Sequence, residues 1–529
     1  MVQDAIRRFI AAEEEFERGT GTEARAADWQ FSLTGDEAVQ RRVQELSRQT
    51  REHFSDRDRF GALSRWRADG RNLSLDDRRQ VELYWRDYVG AQEDAATRDE
   101  IVRVQTEQAG LFNRFRAELD GRTWTENELN DELATTRDSG RAQQVWEAAK
   151  QIGGHAADRA RQLVRLTNGA ARALGFRDAY ERGLTLSEVG EERLFALLDQ
   201  LEQATDGPYR AAKGELDAQL AERFGIPIAS LRPWHYADPF FQRPPRASGP
   251  NLDRYFNDKD PIELALRATD SLGLDARKIL ERSDNWPKPG KNQHAFCTWI
   301  AADGSDVRVL NNLDRSHHWT GVLLHELGHA LAAEYADRML PLRLILWPNG
   351  IIAETESQTI DRMANDARWL HEAVGIPAPE AESVSRAATE QARLAQLLLA
   401  RWCLVQAHFE RAMHRDPDGD LNTLWWDLVE RYQFITRPEG RNESDWAAKI
   451  HNAQFPGHYY VYIVGEMAVS QFCAALMREV GGLYGHPAAG EYLTKRLYRL
   501  GARWDWEETV QRSTGARLTV DSYVNEWFT

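Results

Sequence analysis

Apolar residues recur at three- and four-residue intervals along most of the chain, and this spacing predicts a mostly α-helical protein. A short helix is expected near 261–272, and long amphipathic helices are expected between 380 and 436. Over the range 1–225 the pattern predicts helices near 4–18, 36–53, 76–91, 97–119, 140–152, 156–174 and 190–222.

A proline-rich stretch, 226–260, interrupts this pattern and is predicted to be an irregular connector. No Gly/Ser-rich linker divides the 529 residues, so we expect a single domain with a helical half, 1–225, and a second half, 261–529. The charged helix faces of the first hundred residues fit either a solvated surface or a lid over a cleft. The connector is expected to pack on the surface through Trp234, Tyr236, Phe240 and Phe241.

One stretch predicts β-structure. Two β-prone segments, His294–Ala301 and Val307–Asn311, flank Asp303-Gly304, a pair that favours a hairpin turn. An edge strand at this place could pair with the backbone of an extended substrate. A purely structural hairpin is the alternative.

Composition narrows the range of partners. The formal charge of −16 argues against nucleic-acid binding, because phosphate contacts need clustered Lys and Arg. No apolar run approaches the length of a membrane span, and the range 1–16 is typical of a charged amphipathic helix rather than a signal peptide. We therefore expect a cytoplasmic protein with no membrane partner. Three widely spaced cysteines, expected to be small core residues, are Cys297, Cys403 and Cys473.

The strongest chemical motif is His325-Glu326-Leu327-Gly328-His329. Residues four apart on a helix lie on one face, one turn apart, so the two imidazoles can share one zinc ion. Glu326 beside them can take a proton from a water that such an ion activates. The alternative is a core helix whose histidines bond to carbonyl groups, although burying these polar groups without a cation costs desolvation energy.

Zinc bound by two histidines needs a third protein ligand, and an acid early in the next helix is a natural donor. After a turn at Trp347–Gly350, a helix is predicted over Ile351–Leu370. Glu354 and Asp361 share one face of it, whereas Glu356 does not. Glu354 is therefore the favoured ligand and Asp361 the favoured hydrogen-bond partner of a ligating histidine, with a merely solvated Glu354 as the alternative.

A second group of candidates lies between Lys449 and Tyr462. A helix beginning after Pro456-Gly457 would place Tyr459 and Tyr462 one turn apart, where phenols can donate to an oxyanion. An aromatic stripe in the core is the alternative. Two histidines of the preceding helices are interpreted as structural, namely His408 and His414.

Together these stretches resemble the gluzincin zinc metallopeptidases, the group of angiotensin-converting enzyme (a peptidyl-dipeptidase) and of the oligoendopeptidase F and thimet oligopeptidase family. In both branches the third ligand is a glutamate on the next helix, at about the distance along the chain that separates Glu354 from His329. Ala447–His451 and His294-Ala295 are similar to substrate-binding segments of the converting-enzyme branch, and the pair Tyr459 and Tyr462 resembles a tyrosine pair found in both branches. Further similar stretches, at 27–37, 168–176 and 504–515, extend the resemblance over nearly the whole chain.

The resemblance implies a large helical ellipsoid with a deep central channel, one Zn²⁺ per chain at its floor and the hairpin beside it. The implied zinc ligands are His325, His329 and Glu354. The implied catalytic residues are Glu326 as the base and Tyr462, assisted by His451 or His294, as the oxyanion donor. The implied substrate-binding residues are His294, Ala295, Lys449 and Tyr459, with Tyr460 as a substitute.

The predicted function is zinc-dependent hydrolysis of peptide bonds in short, unfolded peptides. The chain has one residue more between His451 and Tyr462 than the converting-enzyme branch, while its zinc helix is more similar to the oligoendopeptidases, so an oligopeptidase and a peptidyl-dipeptidase both fit. One alternative is a dedicated maturation hydrolase for one modified peptide or amide. Another is a non-catalytic peptide-binding protein, against which the complete set of zinc and base residues argues.

Overall fold

A computed structural model describes residues 2–70, 73–245, 252–345 and 349–529. Within these residues the protein is mostly α-helical with two small antiparallel hairpins, so the predicted fold class is confirmed. The ellipsoidal shape and the channel stay predictions.

The elements are numbered in chain order. The helices of the first half are α1 (Val2–Phe16), α2 (Thr22–Thr34), α3 (Glu37–Phe54), α4 (Arg57–Ala68), α5 (Leu75–Val89), α6 (Ala95–Arg114), α7 (Glu126–Thr135), α8 (Ser139–Ala173), α9 (Ala179–Leu186) and α10 (Glu191–Phe224). Those of the second half are α11 (Pro261–Ser271), α12 (Arg277–Arg282), α13 (His317–Glu334), α14 (Gly350–Asp361), α15 (Ala367–Trp369), α16 (Ala378–Arg415), α17 (Leu421–Gln433), α18 (Ile450–Gln454), α19 (Tyr460–Val480), α20 (Pro487–Arg496), α21 (Trp506–Thr514) and α22 (Asp521–Phe528). The strands are β1 (Ala117–Leu119), β2 (Arg122–Trp124), β3 (Phe296–Trp299) and β4 (Val307–Leu310).

The two helices predicted at 140–152 and 156–174 are one helix, α8. Gly153, at the predicted break, serves close packing instead, because a Cβ there would lie 2.3 Å from the carbonyl oxygen of Ser444. The predicted break was wrong because a glycine that admits a neighbouring backbone resembles, in sequence, one that ends a helix.

The helix predicted at 97–119 ends at Arg114 and gives way to a hairpin, β1–β2, that the sequence analysis missed. Asp120 and Gly121 at its tip have φ angles of 57° and 72°. This left-handed pair is what a two-residue hairpin turn requires, and Asp-Gly is a preferred sequence for it.

The helix predicted over Ile351–Leu370 is shorter than expected. It forms α14, capped by Asn349, whose side-chain oxygen accepts the backbone N–H of Ile351 at 3.0 Å. After Asp361 a 3₁₀ turn, Arg362–Asn365, ends the regular helix. The predicted turn before α14 falls partly on residues 346–348, which lie outside the described residues.

The predicted hairpin before the zinc helix is confirmed as β3–β4, with Phe296 opposite Leu310 and Trp299 opposite Val307. Within the described ranges β3 pairs with β4 alone, so its other edge carries no strand. Trp29 of α2 packs against this hairpin, in contact with Leu310 and Phe296.

The two helices that carry the predicted zinc ligands, α13 and α14, pack closely together. Gly328, inside the histidine motif, makes this possible, because a Cβ at that position would lie 2.5 Å from the Cα of Ser357. Gly328 is neither a proposed zinc ligand nor the proposed base, yet the close packing of α13 and α14 requires a glycine at this position.

Replacing Gly328 with alanine should lower the free energy of unfolding by about 1–3 kcal/mol, because the new methyl group meets backbone that cannot move aside. Denaturant unfolding would measure the loss. Gly321→Ala is the matched control on the same helix, since its Cβ would lie 3.7 Å from the Cβ of Ala364, an ordinary contact. The control should be neutral or more stable by up to about 1 kcal/mol; equal losses in both variants would contradict the packing role of Gly328.

The chain forms two compact units, each assembled from three segments. They do not follow the predicted halves, 1–225 and 261–529, and the single-domain arrangement stays a prediction. Unit 1 comprises Met1–Gln92, Pro250–Thr389 and Gly465–Ser522, and unit 2 comprises Glu93–Gly249, Glu390–Val464 and Tyr523–Thr529.

Unit 1 joins the N-terminal helices to a segment near residue 500. The Arg79 side chain of α5 donates to the carbonyl oxygens of Ala502 at 2.7 Å and Trp504 at 3.0 Å. Asp76 accepts from Arg503 at 2.6 Å. Long-range polar contacts therefore hold the N-terminal helices to a segment close to the C-terminal end of the chain.

In the connector, Trp234, Tyr236 and Phe241 are buried, and residues 246–251 lie outside the described residues. One sequence expectation needs correction. Helix α19 is, by length and composition, apolar enough to cross a membrane, which the sequence analysis did not recognise. However, 67% of its most apolar stretch is buried inside the protein, as in a core helix.

Candidate metal centre

The three predicted zinc ligands come together in unit 1. Helix α13 presents His325 and His329 with ring centroids 5.1 Å apart, and α14 brings Glu354 to them. One ligand atom from each residue lies within 4.8 Å of the other two, and Nε2 of His325 lies 3.8 Å from Oε2 of Glu354. In the described part of the chain, no other group of His, Cys, Asp and Glu meets this criterion.

Asp361 orients His325. Its Oδ2 lies 2.8 Å from Nδ1 of the ring, which leaves Nε2 turned towards Glu354. Burial lowers the pKa of His325, but the hydrogen bond and charge of Asp361 more than offset it, so the net shift is upward. A carboxylate behind a ligating imidazole fixes its tautomer and raises its basicity as a ligand.

The other two ligands are also supported. The carbonyl of Ala353 faces the His329 ring, and burial lowers the pKa of this histidine to about 3, which keeps it neutral. Gln358 donates from Nε2 to Oε2 of Glu354 at 3.2 Å. Gln358 was missed by the sequence analysis, although its position one turn after Glu354 could have indicated it.

Glu326 is placed for proton transfer. Its side chain is buried, and burial raises the pKa of its carboxyl to about 7, while the backbone N–H of Cys297 lowers it in part. The thiol of Cys297 has a pKa raised by burial and by the nearby charges of Glu326 and Glu356. Strand β3 therefore lies directly beside the proposed base.

This donor set fits zinc. Two imidazole nitrogens and one carboxylate oxygen converge from two packed helices, and Asp361 supports one of the imidazoles. Zinc ligands bind at about 2.0–2.2 Å, so a bound ion would draw the three atoms slightly closer. Three protein ligands leave a fourth position open, as catalytic zinc sites require.

The two predicted strand residues lie at the entry to β3, in unit 1. His294 is exposed in a bend, where its backbone N–H donates to Oδ1 of Asn292 at 3.0 Å. Ala295 immediately precedes the strand. Both therefore lie just before β3 rather than within it, although the sequence analysis predicted a β segment that began at His294.

The predicted tyrosines and histidine form a cluster in unit 2. The Tyr459 ring lies 4.9 Å from both the Tyr462 ring and the His451 ring, and His451 lies 6.2 Å from Tyr462. Tyr462 is about half exposed, at 51%. Tyr460 is buried at 1% exposure beside His458, outside this cluster.

A buried carboxylate holds the turn before these tyrosines. Glu410 accepts the backbone N–H of Tyr459 at 3.2 Å, and the N–H groups of Gly457 and His458 also face it. Burial raises the pKa of Glu410 to about 7, and these N–H groups limit the shift. The contacts of Glu410 with these backbone N–H groups therefore fix the backbone at the start of α19.

Lys449 lies in an aromatic and polar setting in unit 2. Its Nζ donates to Oε1 of Gln242 at 2.6 Å and lies 5.5–5.7 Å from the ring centroids of Phe240, Trp402 and Tyr459. Burial lowers the pKa of Lys449 to about 8. Gln242, 207 residues earlier in the chain, was missed because no sequence spacing connects it to Lys449.

A cavity of about 440 Å³ adjoins this lysine. Lys449, Gln242 and Arg243 contribute polar atoms to its wall, and Phe240 and Trp124 contribute aromatic rings. The cavity is large enough for an amino-acid side chain, and its wall carries both cations, Lys449 and Arg243, and acids, Glu126 and Asp238.

Comparison with known proteins shows a distant relationship. No family model matches the chain. The chain is 24% identical to angiotensin-converting enzyme of Rattus norvegicus over 448 residues, which cover 76% of this chain and 33% of the rat protein. It is 30% identical to angiotensin-converting enzyme of Mus musculus over 124 residues, or 22% of this chain and 9% of the mouse protein. The chain spans about a third of the length of the rat relative; the resemblance to oligoendopeptidase F and thimet oligopeptidase stays a prediction.

Proposed function

We propose that this protein is a zinc-dependent peptidase that hydrolyses peptide bonds in short, unfolded peptides. The observation that carries the proposal is the convergence of His325, His329 and Glu354 within 4.8 Å, with Glu326 on the same helix. The distant relationship to angiotensin-converting enzyme supports the same class.

Bound zinc would act as a Lewis acid towards the scissile carbonyl and would lower the pKa of the attacking water. His325, His329 and Glu354 would hold the ion, and Asp361 would keep the His325 ring in its binding orientation. Glu326 would accept a proton from the attacking water at its carboxylate and deliver it to the leaving amine. Its raised pKa suits a group that both takes and returns a proton near neutral pH.

The unpaired edge of β3 would align the peptide backbone beside Glu326. Main-chain groups of Ala295 and the strand offer hydrogen bonds without regard to side-chain identity, which suits a range of peptides. His294 lies at the entry of the same edge.

Tyr462 and Lys449 are proposed for the oxyanion and for the substrate's carboxyl terminus. The resemblance supports Tyr462 as the donor with His451 beside it, and Tyr462 is the exposed member of its cluster. Release of C-terminal dipeptides is the cleavage mode that a carboxylate-binding Lys449 favours.

The decisive experiment is mass spectrometry of the products that the purified protein forms from a mixed peptide library. Cleavage should occur, should stop when a chelator removes the metal, and should return with added Zn²⁺. Products two residues shorter at the C-terminus would support the peptidyl-dipeptidase mode, and internal cuts would support the oligopeptidase mode.

The same library is also treated with the Tyr462→Phe variant. This variant should cleave peptides about 10²–10³-fold more slowly, because it lacks the proposed oxyanion donor. Cleavage that persists in the presence of the chelator would contradict the proposal that hydrolysis depends on zinc. Absence of cleavage across the library, with zinc bound, would favour a hydrolase dedicated to one modified peptide.

A further inference from the structure

Unit 1 contains a cavity of about 470 Å³ that the proposed function leaves unused. Helices α1, α3 and α5, the β3–β4 hairpin and residues 342–343 contribute to its wall. Its aromatic lining residues are Phe16, Phe54, Tyr84 and Trp299. Its charged lining residues are Glu13, Glu17, Asp87 and Arg343. A wall of aromatic rings with more acids than bases suits an apolar stem that ends in a cation.

Strand β3 connects this cavity to the proposed base. Side chains alternate between the two faces of a strand, so Trp299, in the cavity wall, lies on the same face as Cys297. The backbone N–H of Cys297 faces the Glu326 carboxylate. The cavity therefore adjoins a strand position that is two residues, or roughly 7 Å, from the one that contacts Glu326.

The backbone groups of Cys297 and Trp299 face the edge of β3 that does not pair with β4. Val309 of β4 lies opposite Cys297. Its carbonyl oxygen accepts the N–H of Asp284 at 3.1 Å, and its own N–H donates to Oγ of Ser283 at 2.9 Å. Cys297 and Val309 therefore form a non-hydrogen-bonded pair of the antiparallel ladder. Pairs alternate along the ladder, so the N–H and C=O groups of Cys297 and Trp299 point to the open edge.

A peptide paired with this edge would have its side chains in register with those of β3. The residue opposite Trp299 would place its Cβ about 4.5–5.5 Å from that of Trp299, on the same face. Its side chain would therefore reach the cavity that Trp299 lines. The residue opposite Cys297, two positions away in the peptide, would lie beside Glu326. The cavity is thus placed to select one residue near the scissile bond.

Two of the acids in the wall are balanced by cations of unit 1. Glu13 accepts from Arg59 at 2.6 Å and from the Tyr88 hydroxyl at 2.8 Å. Asp87 accepts two hydrogen bonds of 3.1 Å from Arg343. These pairs satisfy their own charges, so selectivity for a ligand has to come from the remaining acid, Glu17.

Glu17 remains available to a ligand. Its side chain is 35% exposed, and Arg25 donates to its Oε1. In the part of the chain that the structure describes, its Oε2 accepts no hydrogen bond. A carboxylate has about four acceptor positions, so Glu17 can bind a second cation beside Arg25. Of this pair it is Glu17 that lines the cavity, while Arg25 donates to the carbonyl oxygen of Ile300 at 3.2 Å.

The backbone around Glu17 has an unusual form that positions this carboxylate. Glu17–Gly21 is a π-helical turn between α1 and α2, a rare conformation that is frequent at functional sites. Gly21 is buried, and a Cβ there would lie 2.6 Å from Oε2 of Glu17. The carboxylate therefore rests against the backbone of this glycine.

We propose that the 470 Å³ cavity is a pocket for an arginine or lysine side chain of the substrate peptide, with Glu17 as the acceptor and Trp299 as an aromatic wall. The stem would pack on the rings, and the cation would form a charge-assisted hydrogen bond with Glu17. The inference rests on the proposed function for the peptide. It deepens that function by naming a substrate class, peptides with a basic residue two positions from the residue beside Glu326.

The test compares arginine with citrulline, which has nearly the same shape and no charge. Zinc-loaded Glu326→Gln protein is titrated by calorimetry with hexapeptides that carry one arginine, or one citrulline, at each position in turn. At one position the arginine peptide should bind about tenfold more tightly. This preference should shrink as NaCl rises from about 0.02 to about 0.5 M, because salt screens partly exposed charges.

Glu17→Gln should remove the preference and leave binding of the citrulline peptides within about twofold. Glu15→Gln is the matched control, because it removes a carboxylate of α1 that is exposed and outside the cavity wall. Gly21→Ala keeps the charge and moves it, since the new methyl group displaces the end of the Glu17 side chain. This variant should lower the preference and unfold at the same or a higher temperature.

Equal binding of arginine and citrulline at every position would overturn the proposal, and so would absence of binding by all hexapeptides. A preference that survives Glu17→Gln, or that Glu15→Gln lowers equally, would also overturn it. Tighter binding of phenylalanine than of arginine at the selected position would overturn it by showing a pocket for aromatic side chains.

These outcomes are separable from hydrolysis. If the mixed library shows no cleavage but Glu17→Gln removes a preference for arginine, the peptidase proposal fails and the pocket stands. If the library is cleaved and arginine and citrulline bind alike, the pocket fails and the peptidase proposal stands.

Discussion

Glu326→Gln should lower hydrolysis by about 10²–10⁴-fold while the protein still binds one zinc ion per chain. Glutamine keeps the size and burial of the side chain but cannot accept the water proton, and His325, His329 and Glu354 remain in place. Turnover on a cleaved library peptide and metal content by atomic spectroscopy are measured on the same sample.

Glu334→Gln is the matched control. It lies on α13 eight residues after Glu326, and its carboxylate accepts from Arg282 at 2.9 Å, away from the ligand cluster. The control should keep turnover within about twofold, as surface substitutions usually leave function and stability little changed. Zinc-loaded Glu326→Gln with unchanged turnover would remove Glu326 from the mechanism.

Glu354→Gln should weaken zinc binding by more than about 100-fold and remove nearly all hydrolysis. Loss of an outer hydrogen-bond partner already costs about 10–100-fold in metal affinity, and loss of a ligand costs more. Competition with a chromophoric chelator gives the affinity, and excess Zn²⁺ should restore part of the activity.

Glu356→Gln is the control for that prediction. Glu356 lies two residues later on α14 and is buried, its charge raises the pKa of Cys297 and of Tyr498, and it is not among the three residues of the ligand cluster. It should keep full zinc content. Zinc loss in Glu356→Gln with retention in Glu354→Gln would mean that the wrong acid has been assigned.

Local periodicity favoured the residues of the candidate metal centre, and the resemblance to the gluzincins strengthened the assignment of Glu354 as the third ligand. His325 and His329 are one turn apart on one helix, and the helical face shared by Glu354 and Asp361 favoured both over Glu356. The structure places these four side chains together, with Asp361 bonded to His325 at 2.8 Å. Each of these relations spans at most a few turns of helix or one helix pair, where 3.6-residue geometry is reliable.

Relations between distant parts of the chain could not be predicted in this way. Gln242 meets Lys449, and Lys150 meets Phe240, only after several helices have packed. In the sequence, Gly153 and Gly328 cannot be distinguished from glycines that break helices. In the structure, each allows a neighbouring backbone to approach closely. Whether a glycine breaks a helix or allows close packing depends on which segment lies beside it, and periodicity does not identify that segment.

The contact between α5 and the segment near residue 502 can form only late in synthesis. Arg79 finds its acceptor at Ala502 only after 423 more residues have been made. At ribosomal rates of about 5–20 residues per second, this delay is on the order of 20–80 s. For that time the nascent N-terminal helices lack the segment they pack against, and the wait continues after both metal-binding helices, which end at Asp361, have been made.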